Sequence, residues 1–126
     1  MKKDTNVYLQ DILDAIKRIE VSGVTKSSFE SDPDRQEATI RRLEIIGEAV
    51  KGIPPAWRER YPDVPWKSIA GTRDVLIHNY SGVSIETIWE VVQSDLPKLK
   101  SGVQKILAEI EAEKQDEAEK KKQNGK

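Results

Sequence analysis

Trp66-Lys67-Ser68-Ile69-Ala70-Gly71-Thr72-Arg73-Asp74-Val75-Leu76-Ile77-His78-Asn79-Tyr80 is the stretch on which the reading of the whole chain turns. At about 100° per residue, Trp66, Ile69, Ala70, Arg73, Ile77 and Tyr80 fall on one stripe. The spacing therefore predicts a core helix with a guanidinium in the middle of its apolar face. An unpaired charge is expensive to bury, so Arg73 requires an internal partner, a cleft or a second subunit. His78 is the only histidine in the chain. Asp74, four residues before it, is placed to orient the imidazole, and the end of the helix favours the protonated ring.

Outward from this helix the same period recurs. Thr5 to about Val21 reads as a first helix carrying Leu9, Ile12, Ile16 and Ile19, capped by Asp4 or Thr5 and ended at Ser22-Gly23. Val24 to Asp32 reads as a loop. Asp32-Pro33 starts a second long helix, running to about Lys51, in which Gly47 marks a close helix contact. Gly52-Ile53-Pro54-Pro55 stops it. Residues 56–65 have room for one short helical turn, with Trp57 and Tyr61 plugging the bundle. Pro65 opens the central helix and Ser81-Gly82 closes it. From Ser84 an apolar stripe continues in phase through Pro97 to Ile110, which predicts one long helix kinked at the proline or a tight break between two collinear helices, with Asp95 near the new N-terminus. No stretch alternates at period two. The expected fold is all-α, an antiparallel up-down four-helix bundle over residues 1–112, followed by a charged extension at 113–126.

Composition narrows the chemistry. The 126 residues suffice for one domain, and charged residues make up 34% against 6% aromatic, a balance that suits a small bundle with a solvated surface. With no cysteine a thiolate metal site is excluded, and with one histidine a zinc site is not expected. No segment is apolar enough for a signal peptide or a membrane span, so the expected location is cytoplasmic. The net charge of −1 argues against a non-specific nucleic-acid coat. Residues 35–80 nevertheless carry eight basic and six acidic side chains, enough for local phosphate contacts. An arginine, a histidine and a phenol together suit a phosphodiester, the arginine neutralising phosphoryl oxygens and the histidine moving protons. One histidine makes a one-subunit site look incomplete, whereas a two-fold dimer packed on this helix would bring two arginines and two histidines into one cleft. A binding module without catalysis and a plain structural bundle stay open on the same residues.

Arg73 to Tyr80 matches the R-x4-6-H motif of the HEPN superfamily in its extended form R-x4-H-x-Y. Upstream, Arg42-Leu43-Glu44-Ile45-Ile46-Gly47-Glu48-Ala49 resembles the second-helix signature of the HepT-like toxins. Ile88-Trp89-Glu90-Val91-Val92 with Asp95-Leu96-Pro97 resembles their last helix. The likeness covers roughly residues 5–110. It implies a metal-independent endoribonuclease without cofactor, the toxin of a type VII toxin–antitoxin pair, working as a homodimer with a composite cleft. Arg73 and His78 would then carry RNA cleavage. The implied partner is a minimal nucleotidyltransferase antitoxin that transfers AMP to Tyr80. Asp74 and Asn79 are auxiliary candidates, and Lys67, Arg41 and Arg42 are candidate RNA contacts. The alternative within the same resemblance is a non-catalytic HEPN-like RNA- or nucleotide-binding dimerisation module.

Overall fold

The computed structural model describes residues 4–78 and 84–124. Asn79, Tyr80 and the expected Ser81-Gly82 stop lie outside the described residues. The architecture is an all-α HEPN-like bundle of α1 (Thr5–Val21), α2 (Lys26–Ser31), α3 (Pro33–Gly52), α4 (Pro55–Arg60), α5 (Trp66–His78), α6 (Ile85–Glu90) and α7 (Leu96–Asn124), with a π-helical turn at Val91–Asp95 joining the last two. α3 is the spine, packing α1 on one side and α5 on the other, while α7 lies along α1.

The capping chemistry sets these bounds. The Asp4 carboxylate accepts from the Asn6 amide, and Gly23 takes the left-handed φ of 68° just past the end of α1. Asp32 accepts from the amides of Asp34 and Arg35, with Pro33 in the first turn of α3. One expectation needs correction and one is refined. The segment read as a loop after α1 contains a helix, because Thr25 and Ser28 cap each other reciprocally and Phe29 is fully buried. The last helix is widened ahead of Pro97 by the π turn, in which the Leu96 amide reaches the Val91 carbonyl five residues back. That extra residue accommodates the ring and the missing N–H of Pro97 within a continuing helix.

The core is a single cluster of aliphatic side chains centred on Leu9, Ile12, Ile46, Ile69, Leu99 and Ile106. Trp57 and Tyr61 pack on its edge, and the Trp66 indole donates to the Arg58 and Tyr61 carbonyls. Tyr61 hydrogen-bonds Glu109 of α7, which also pairs with Arg60 at 3.1 Å. That carboxylate bond, with some burial, raises the phenol's pKa above 10.0. Residues 111–123 are exposed throughout. Among the described residues no helix is long and apolar enough to cross a membrane.

Candidate active site

Arg73 owes its position to Gly47. The two residues meet where α5 crosses α3, so closely that a Cβ built on Gly47 would lie 2.2 Å from Arg73 Cβ and 3.2 Å from the Ile69 carbonyl oxygen. The absence of a side chain at position 47 costs α3 about 1 kcal/mol of helix propensity and gives the arginine stem a saddle to lie across. Glu48, the next residue, meets the guanidinium: its Oε2 stands 2.6 Å from Arg73 Nη2. Asp74 takes Nη1 at 3.0 Å and also pairs with Lys51 of α3. Held first by Lys51 and then by Arg73, the Asp74 carboxyl titrates below its ordinary 3.8.

The arginine on the apolar stripe is thus partnered but not enclosed. Its side chain is 22% exposed, and it faces a groove of about 290 Å³ walled by Tyr8, Arg41, Ile45, Glu48 and Ile77. Its Nε–H is buried without an acceptor among the described residues. Leaving such a donor unpaired costs about 1–3 kcal/mol, which an arginine with only a packing role would normally avoid.

The remaining sequence candidates scatter around this centre. His78 ends α5 exposed to solvent, five residues from Arg73 and so roughly 140° around the helix from it. Among the described residues no hydrogen bond or ion pair joins His78 to Arg73 or to Asp74. The proposed orienting pair is therefore replaced by Asp74 bonds to Lys51 of α3 and to its own neighbour Arg73 on α5. Arg41 shares the groove with Arg73 and pairs with Glu44 at 3.3 Å. Arg42 lines the adjoining groove along α1, where its guanidinium donates to the Arg18 carbonyl at 3.5 Å. Lys67 is exposed in the first turn of α5, outside both grooves. Asn79 and Tyr80 lie outside the described residues.

Sequence reasoning passed over Glu48 and Lys51. The one available signal was Gly47: a glycine inside a helix marks where a neighbour comes close, and residues one and four positions on then flank the contact. Among the described residues no group of three or more His, Cys, Asp or Glu side chains could hold a metal ion. Between α1 and α7 lies an apolar groove of about 690 Å³, lined largely by Ile16, Ile19, Val24, Trp89, Val92 and Leu96, which contains none of the candidate residues.

The family described as "Ribonuclease HepT-like" matches residues 12–106. Among individual relatives, "Probable ribonuclease HepT" of Thermococcus cleftensis is 42% identical over 108 residues, covering 84% of this chain and 98% of its own. A "Putative RNase" of Methanocaldococcus jannaschii is 42% identical over 114 residues, covering 89% and 94%. From the same organism, a "Gamma-glutamylcyclotransferase and putative RNase" is 45% identical over 116 residues. That match takes in 90% of this chain but only 52% of the relative, so the chain spans about half of that longer protein. No solved structure matches significantly.

Proposed function

This chain belongs to the HepT-like ribonuclease family, and we propose that it is a metal-independent endoribonuclease whose cleft is shared between two copies. The observation that carries the reading is Arg73: a guanidinium seated on a glycine saddle, left partly open to a groove on the helix that ends in His78. In the proposed reaction the RNA 2′-hydroxyl attacks the adjacent phosphorus, the bond to the 5′-oxygen breaks, and a 2′,3′-cyclic phosphate and a 5′-hydroxyl result. Arg73 balances the charge on the phosphoryl oxygens. His78 takes the proton of the attacking hydroxyl, and the partner's His78 protonates the leaving oxygen.

A second copy supplies what one copy lacks. Arg73 and His78 of a single chain point in different directions, so a phosphate bridging both is better served by a two-fold pair of α5 helices. Ile45 and Ile77, exposed by 38% and 46% beside the groove of Arg73, form the apolar surface available for that contact. We further propose a cytoplasmic toxin of a type VII system, silenced when a nucleotidyltransferase antitoxin transfers AMP to Tyr80. A nucleotide there, two residues after His78 in the chain, would bring an anionic phosphate to the candidate site.

Purified protein in EDTA is expected to cut RNA. His78→Ala is expected to slow cutting about 10²–10⁴-fold, the usual reach of acid–base catalysis, and Arg73→Ala to abolish it, both with unchanged helical content. Equal cutting by wild type and both variants would overturn the site assignment. The pairs that Arg73 makes with Glu48 and Asp74 favour a second reading, a structural arginine in a binding-only module. A dimer that binds RNA in EDTA and never cuts it would establish that alternative. For the antitoxin, an AMP mass increment after co-expression with a minimal nucleotidyltransferase, absent in Tyr80→Phe, is the expected result.

A further inference from the structure

Arg58 is a cation that the site chemistry leaves unused. It sits half-buried in α4, where Nε donates to the Ile53 carbonyl at 3.2 Å, fixing the guanidinium against the rigid Pro54-Pro55 corner. Among the described residues it makes no ion pair and no hydrogen bond to a carboxylate. Its neighbour Arg60 differs on each count, stacking on Trp57 at 4.4 Å and pairing with Glu109. Arg58 lines a groove of about 690 Å³ together with Thr5, Tyr8, Glu48, Lys51 and Gly52. Tyr8 and Glu48 also wall the groove of Arg73, so the two grooves of the cleft adjoin along these side chains. Its floor at the junction is built for close contact, since a Cβ on Gly52 would fall 2.4 Å from the Tyr8 ring.

Charge along the cleft is uneven. Around Arg73 the cations Arg73 and Lys51 are met by Glu48 and Asp74. Beyond Lys51, toward α4, Arg58 adds a positive charge without a counter-ion. A partly desolvated guanidinium already tied at one edge, with its remaining N–H groups free, is suited to a phosphate oxygen pair.

We propose that Arg58, with Lys51 beside it, is a phosphate subsite that holds the RNA strand beyond the phosphodiester at Arg73. The inference rests on the ribonuclease reading and deepens it: the strand runs along the cleft from the α5 groove toward α4. Arg58 touches no reacting atom in this arrangement and acts by fixing where the strand lies.

The test is the salt dependence of binding to a short single-stranded RNA in EDTA, alongside cleavage of the same RNA. Each phosphate neutralised contributes about 0.7 to the slope of log K against log salt for a single strand. Arg58→Gln retains a donor for the Ile53 carbonyl and removes the charge. It is expected to weaken binding about tenfold at low salt and to lower the slope by about 0.7. Its effect on cleavage is expected in KM rather than kcat, and Arg60→Gln should leave the slope unchanged. An Arg58→Gln protein that folds as wild type and keeps the full slope would overturn the subsite. Wild type that binds RNA with an Arg58-sensitive slope but does not cut would overturn catalysis and leave the subsite standing. Wild type that does not bind RNA would overturn both.

Discussion

Arg73 and Gly47 form a contact in which neither residue works alone. Gly47→Ala would gain about 1 kcal/mol of helix propensity, yet the new methyl would press on Arg73 Cβ, Arg73 Cγ and the Ile69 carbonyl oxygen. The stem can rotate away, but the backbone carbonyl at 3.2 Å moves only if the two helices part. Overpacking of this kind costs about 1–3 kcal/mol, so the expected net effect is a lower urea midpoint, with RNA cleavage falling further than the stability loss explains. Full activity in Gly47→Ala would show that Arg73 does not depend on the saddle. The misplaced arginine and the interior glycine were both legible from periodicity. Their partners were not. Lys51 lies 23 residues from Asp74 in sequence, and the register between α3 and α5 is written in no local pattern. For the same reason the sequence could not distinguish Arg58 from Arg60 within Pro55-Ala56-Trp57-Arg58-Glu59-Arg60: only the fold shows which one finds Glu109.

At the scale of elements, the long helices and most of their caps follow directly from apolar spacing and from Asp4, Asp32 and Ser84. α2 did not, since six residues with a single apolar side chain carry no period. Its purpose is Phe29, fully buried against the core with its ring centroid 5.5 Å from that of Trp89. Phe29→Ala is expected to cost about 3–5 kcal/mol in equilibrium unfolding, which would make α2 a structural element despite its length. A loss under about 1 kcal/mol, the scale of one helix cap, would instead mark it as a dispensable cover. Pro97 illustrates the opposite failure. The proline marks a disturbance in the apolar-striped segment, but no local pattern shows that the adjustment falls one turn earlier, at Val91–Asp95.

Across the whole molecule, labour is divided between two sides. The candidate chemistry lies on α1, α3, α4 and α5, while α7 closes the core along α1 and is fastened to the end of α4 by Glu109. Beyond Ile110 the helix runs exposed, and Glu113 reaches Arg60 only at 3.9 Å. Ending the chain after residue 112 is therefore expected to change the unfolding free energy by less than about 0.5 kcal/mol, as for surface changes in general. A larger loss in a denaturant titration would give residues 113–126 a structural role. The close crossing at Gly47 also has a genetic consequence. Every glycine codon becomes an alanine codon by one base change, so a gene of this kind holds, well outside its R-x4-H motif, a single-step route to the substitution expected to press on Arg73 while leaving the helices formed.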